Sequence, residues 1–186
     1  MLFASSNDGK IKEVKEILKI NIKSLKDLNI KIEIKETGKT FLENAILKAK
    51  EVYKKTGIPT LSDDSGLEIE ALNGFPGINT HRFLEGTDSI RNQEILRRMK
   101  KIENRTCYFT CAIAYFDGIN LITKEYKLKG IIACEEKINN GFGFDSIFLY
   151  NGKYLSDMTI QEKNNINPRK FALENLKLDK NFKKKY

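Results

Sequence analysis

Two consecutive stretches, Thr106–Phe116 and 120–133, are long and strand-like, and Asp117-Gly118 stands between them. Asp-Gly between two such runs is a hairpin signal, because both residues tolerate the turn backbone that the strand twist demands. The chain must therefore build an antiparallel pair. Its opening residues impose a second constraint. The apolar run at 1–5 breaks into Ser-Ser-Asn-Asp-Gly, and 10–19 then sets Ile11, Val14, Ile17 and Leu18 on one helical face against Lys and Glu on the other. Strand, loop and helix in that order form the opening half of a βαβ unit. The two signals together predict an α/β fold with a mixed sheet and flanking helices.

The rest of the chain divides in the same way. Ile30, Ile32 and Ile34 alternate with Lys and Glu, which predicts a half-exposed strand at 30–34. Thr40 suits the N-cap of a helix over Phe41–Thr56, and Glu43 three residues on completes a capping-box pattern. A short strand at 59–62 leads into Asp63-Asp64-Ser65-Gly66, and the strand-like LEIEAL follows. Asn73-Gly74, Pro76 and Gly77 mark a tight loop, 88–102 reads as a helix, and a glycine-rich loop spans 139–143. Helices at 159–165 and Pro168–Leu178 close the chain ahead of a basic tail. With no internal repeat and no linker, residues 1–186 are expected to form a single domain.

Composition excludes several classes. At 40% hydrophobic and 31% charged, the 186 residues describe a globular chain rather than a disordered one. The net charge of +8 invites a nucleic-acid reading, yet only six of the 33 basic residues are Arg, the side chain that planar phosphate and base recognition favours. The densest basic runs, Lys54-Lys55, 97–101 and 183–185, read as solvated helix faces or tail, so no stable nucleic-acid partner is expected. Cys107, Cys111 and Cys134 fall in apolar strand-like stretches without CxxC spacing, and His81 is remote from them, which suits buried small hydrophobes rather than zinc or a nucleophile. The N-terminus turns polar too soon for a signal peptide, and no apolar run is long enough to cross a bilayer. These features predict a cytoplasmic protein without a membrane partner.

Four polar clusters interrupt the apolar pattern, each beside a strand or helix end. Ser5, Ser6, Asn7, Asp8, Gly9 and Lys10 precede a helix, where free N–H groups and the helix dipole favour an anion; the same residues are also ordinary capping material. Asp63 and Asp64 place two like charges together, an arrangement that a hard cation relieves by accepting one or two carboxylates plus phosphate oxygens. Glu36 or Glu43 could add a further carboxylate, and the alternative is a turn with solvated acids. Around Phe142, Gly143, Phe144 and Asp145, glycine permits close backbone approach and an aromatic ring offers a stacking face, although core aromatics beside a turn would read the same. Lys163 and Arg169 supply two cations. The combined inventory fits a nucleoside triphosphate.

The order and spacing of SSNDGKIKE, TFLENAILKAK, LSDDSGLEIEALNGFPGINTHRF, NGFGFDSIF and MTIQEKNNINPRKFA resemble the inosine triphosphate pyrophosphatase family over residues 1 to about 178. The resemblance implies an elongated mixed sheet with two lobes around a central nucleotide-binding cleft, and a homodimer. It implies Mg²⁺-dependent hydrolysis of deaminated purine nucleoside triphosphates such as ITP, dITP and XTP to the monophosphate and pyrophosphate. Ser5 to Lys10 would hold the triphosphate, Asp64 would act as acid/base, and Glu36 and Asp64 with Asp63 would hold the metal. Ser65 would touch substrate, Phe142 would stack on the base with Gly143, Phe144 and Asp145 closing the pocket, and Lys163 and Arg169 would lie near base and phosphates. Two departures stand out. The family's usual Ser-His-Arg reads Asn167-Pro168-Arg169, and its aromatic-Asp-Pro reads Phe144-Asp145-Ser146. Selectivity between inosine and adenosine is therefore expected to be weaker than in members that keep the His, and a relaxed or different base preference is the alternative reading.

Overall fold

A computed structural model describes residues 1–80, 82–137, 139 and 143–183. Among them, seven strands form one sheet in the order β2-β1-β3-β4-β5-β6-β7: β1 Leu2–Phe3, β2 Lys23–Ser24, β3 Thr60–Ile69, β4 Thr106–Phe116, β5 Leu121–Ile132, β6 Phe148–Tyr150 and β7 Lys153–Tyr154. Both β2 and β3 pair with β1 in parallel, whereas β5–β6 and β6–β7 are antiparallel, so the sheet is mixed. The α-helices are α1 Asp8–Leu18, α2 Phe41–Thr56, α3 Asp88–Arg98, α4 Ile160–Ile166, α5 Pro168–Leu178 and α6 Lys180–Lys183.

The chain groups into two compact units. The first comprises Met1–Ser65, Cys111–Tyr126 and Pro168–Tyr186, and the second Gly66–Thr110 and Lys127–Asn167. In the first unit, successive residues of β1 enter different apolar clusters. Leu2 and Ala4 pack with Leu25 and with Val52 of α2, while Phe3 packs with Ile11, Val14 and Leu18 of α1 and Leu173 and Leu176 of α5. The strand's two-residue period thus buries both faces, which is why it reads as a continuous apolar run rather than an alternating one. Each such fully buried large side chain stabilises by about 1.5–3 kcal/mol. In the second unit, Leu67 and Ile69 of β3 join Cys107, Leu128, Ile132, Ile95 and Phe148. The alternate residues are polar: Glu68 accepts hydrogen bonds from Thr110 and Lys127, and Glu70 accepts one from the Tyr108 hydroxyl.

Thr40 caps α2 by accepting from the Glu43 amide at 3.1 Å. The reciprocal half of the box misses by one residue, since the Glu43 carboxylate accepts from the Lys39 amide at 2.6 Å instead. Thr159 and Glu162 make a complete capping box on α4.

Three expectations need correction. Residues 30–34 form no strand; Ile30, Ile32 and Ile34 lie partly buried against the Leu2, Leu25 and Val52 cluster, so their alternation reflects packing without a ladder. The position beside β1 belongs to the short β2. Most consequentially, Asp63-Asp64-Ser65-Gly66 is no turn: β3 runs unbroken through it. Cys107 and Cys111 are buried as expected, with burial pushing both thiols up to about 12, but Cys134 is exposed.

Candidate active site

Because β3 continues through the acidic pair, Asp63 and Asp64 point to opposite faces of the strand. Each finds its own cations in the first unit. Asp63 is 3% exposed, and its Oδ2 lies 3.0 Å from Lys10 Nζ and 2.9 Å from Arg169 Nη2, with Arg169 Nε donating at 3.1 Å. Burial alone would raise this carboxyl; the charges of Lys10, Arg169 and Lys48 overcome that and hold it well below the carboxylate range. Arg169, carried on the first turn of α5, also donates to Glu13 of α1 and, at 3.2 Å, to Ser65 Oγ. Its burial opposes the charge, and Asp63 with Glu13 more than offsets this, so the guanidinium stays protonated.

Asp64 faces α2. Lys48 Nζ bridges Asp64 Oδ1 at 3.0 Å and Glu36 Oε1 at 2.7 Å, and Asn44 Nδ2 donates to Asp64 Oδ2 at 3.2 Å. Asn44 and Lys48 are four apart on α2, the spacing that stacks two side chains on one helical face. The Asn44 Oδ1 in turn accepts from the Gly38 amide at 2.8 Å, fixing the loop that carries Glu36. A Cβ on Gly38 would stand 2.7 Å from that same oxygen, so glycine is required by the close approach. Desolvation raises the Asp64 carboxyl, with Lys48 pulling the other way and Glu36 adding to the rise. A carboxyl raised in this way is better matched to accepting a proton than an ordinary one.

The remaining expected residues take the following positions. Asn7 is the N-cap of α1, accepting from the Lys10 amide at 3.1 Å, and Ser5 Oγ accepts from the Asn7 amide at 3.2 Å. Ser6 is exposed, Gly9 lies in the first turn of α1, and Asp8 pairs with Lys26 at 2.7 Å. In the second unit, Lys163 Nζ lies 2.7 Å from Asp145 Oδ2, while Phe144 is only 6% exposed and belongs to the apolar core. Phe144 is therefore a packing residue rather than an open pocket wall, which is the core-aromatic alternative. Gly143 adopts φ +62, a conformation glycine takes without strain. Phe142 lies outside the described residues.

The metal expectation divides. No group of three or more His, Cys, Asp or Glu that could hold a metal occurs among the described residues. Asp63, expected in the same ligand set, is engaged by Lys10 and Arg169 on the opposite face of β3 from Asp64. Glu36 and Asp64 do converge on one cationic centre, the Lys48 ammonium, and that two-carboxylate donor set suits Mg²⁺ completed by phosphate oxygens. Sequence reading missed Lys48, Asn44, Gly38 and Glu13. The one available signal was a polar Asn–Lys pair at i, i+4 beside the buried stripe of α2.

The Ham1 family profile matches residues 1–178. A dITP/XTP pyrophosphatase of Borrelia duttonii is 43% identical, over 95% of this chain and 94% of its own, and one from Aquifex aeolicus is 38% identical over the same shares. Among solved structures, the Ham1 protein of Staphylococcus aureus superposes with a TM-score of 0.88 at 31% identity, covering 94% of both chains. A HAM1 protein from Coxiella burnetii does so with a TM-score of 0.87 at 37% identity, again over 94% of each. Fold and relatives define an enzyme of the nucleoside triphosphate pyrophosphatase class. Within that class the chain belongs to the Ham1 family, in agreement with the sequence resemblance.

Proposed function

We propose that this enzyme hydrolyses deaminated purine nucleoside triphosphates (ITP, dITP and XTP) to the nucleoside monophosphate and pyrophosphate, with Mg²⁺. The observation that carries this reading is the Asp64 environment: a buried carboxylate with a raised proton affinity, oriented by Asn44 and set beside Glu36 and Lys48. Water attacks the α-phosphorus; the new P–O bond forms as the α–β bridging bond breaks, pyrophosphate leaves, and Asp64 takes a proton from the water. Glu36 and Asp64 would hold Mg²⁺, which would supply charge neutralisation on the phosphoryl oxygens. Lys48 and Lys10 add positive charge for the triphosphate, with Ser5, Ser6, Asn7, Asp8 and Gly9 shaping its binding loop. Asp63, rather than binding metal, fixes Lys10 and Arg169. Phe142, Gly143 and Asp145 take the base, and Lys163 and Ser65 complete the substrate contacts. A homodimer follows from the family resemblance, and a cytoplasmic setting is proposed with it; no helix among the described residues is long and apolar enough to cross a membrane.

The test is pyrophosphate release from ITP, XTP, dITP, GTP and ATP in parallel with Mg²⁺, with Asp64→Asn as control. Fast release from the deaminated substrates, lost in the control, supports the reading; no release from any overturns it. A relaxed base preference is the second reading, favoured by two observations: Pro168 has no N–H to donate, and Asp63 and Glu13 already engage the Arg169 guanidinium. Under that reading Pro168→His sharpens the ITP over ATP ratio of kcat/KM, and an unchanged ratio removes the residue from specificity.

A further inference from the structure

The second unit holds a buried polar cluster that the hydrolytic chemistry does not use. Asn92 of α3 is 1% exposed, and its Nδ2 lies 2.9 Å from each of three acceptors: Glu136 Oε1, the Gly143 carbonyl and Ser146 Oγ. Its Oδ1 is buried and has no hydrogen-bond partner among the described residues. Rotating the amide would relieve nothing, because Oδ1 would then face a carboxylate and a carbonyl. Ser146 Oγ donates to Glu136 Oε1 at 3.0 Å, and Ser89 Oγ and Gln93 Nε2 donate to Glu136 Oε2 at 2.8 and 2.9 Å. One turn before Asn92, Asp88 Oδ2 accepts from the Gly143 amide at 2.8 Å. Residues four apart on one helical face thus hold both main-chain polar groups of a single glycine, itself at φ +62.

Packing alone does not account for this. Asn92 serves three acceptors and still leaves its own Oδ1 without a partner among the described residues, an arrangement native interiors rarely keep. Ser146 stands where the resembling family usually has proline, and its hydroxyl ties Asn92 to Glu136. We propose that Asn92 and Asp88 are positioning residues for base recognition, clamping both main-chain polar groups of Gly143 so that this residue meets the base in one geometry, with Glu136 and Ser146 locking Asn92. This rests on the reading that Gly143 and Asp145, with Phe142, take the nucleobase.

Asn92→Leu and Asp88→Ala raise KM for dITP roughly tenfold or more, with kcat changed much less, because a loosened positioning group weakens substrate placement rather than the hydrolytic step. The inhibition constant of inorganic tripolyphosphate, which has phosphates but no base, stays at the wild-type value. Asp88→Asn keeps an acceptor for the Gly143 amide and restores KM; should Asn92→Leu fail to fold, this Asp88 pair carries the test on a half-exposed side chain. An unchanged KM in the folded variants, or a tripolyphosphate inhibition constant that rises in step with KM, overturns the inference. Wild-type protein that releases no pyrophosphate from dITP or XTP overturns the pyrophosphatase reading itself, a separate result.

Discussion

The two neighbouring aspartates carry opposite electrostatics because strand geometry sends them to opposite faces. Asp63 gains far more from Lys10 and Arg169 than it loses by burial, so its folded carboxyl is depressed relative to the unfolded value of 3.8. The stabilisation from such a group is present above the unfolded pKa and is lost as pH falls below it. Asp63→Asn is therefore expected to destabilise by about 3 kcal/mol at neutral pH, since it leaves two cations short of their shared anion, and to flatten the acid limb of a stability-versus-pH curve below about pH 4. Equilibrium urea unfolding across pH 2–7 checks both. Asp64 has the opposite sign: its folded carboxyl is raised by desolvation, so its contribution to stability is greatest below the unfolded pKa and declines as pH rises through the folded one. In the proposed mechanism ionised Asp64 is the active form, so kcat/KM should climb with pH across that raised pKa. A pH–rate profile without a rising acidic limb would remove Asp64 as the proton acceptor. Asp64→Asn should cost roughly 10²–10⁴ in kcat with the fold intact, the range that a lost general base commands.

At the scale of elements, the site depends on one unbroken strand and one capped helix. Thr40 sets where α2 begins, and that start places Asn44 and Lys48 on the face that meets Asp64. The preceding loop has no slack: Gly38 lies against Asn44 and Glu43 so closely that a methyl group must displace one of them. Gly38→Ala should lower kcat by roughly ten- to a hundredfold, in keeping with the cost of about 1 Å of misplacement, while far-UV circular dichroism stays that of the parent. An unaffected rate would mean that the Asn44–Asp64 contact does not orient the carboxylate. Thr40→Ala tests the cap itself, with an expected loss of about 1 kcal/mol in urea unfolding.

For the molecule as a whole, each carboxylate at the site already has a protein cation beside it: Lys48 serves both Glu36 and Asp64, and Lys10 and Arg169 serve Asp63. The fold should therefore not require a metal, whereas the proposed reaction does. Chelation with EDTA is expected to abolish pyrophosphate release while the thermal midpoint shifts by no more than about 2 °C, since only a ligand that binds the folded form stabilises it; a collapse in the midpoint would mean that the metal is structural. Local chemistry made much of this legible in the sequence. Helix limits followed from Thr40, Gly57 and the apolar spacing, the hairpin from Asp117-Gly118, and the mixed sheet from the coexistence of both signals, because each depends only on neighbouring residues. The family, too, was readable from the order of the motifs. Three features were decided only by tertiary structure: that Asp-Asp-Ser-Gly is strand rather than turn, that Asp63 pairs with Lys10 and Arg169, and that Asn92 reaches across 51 positions of chain to the Gly143 carbonyl. A charged pair inside a strand is tolerable only when distant Lys and Arg side chains neutralise it, and no local pattern records which distant side chain will arrive.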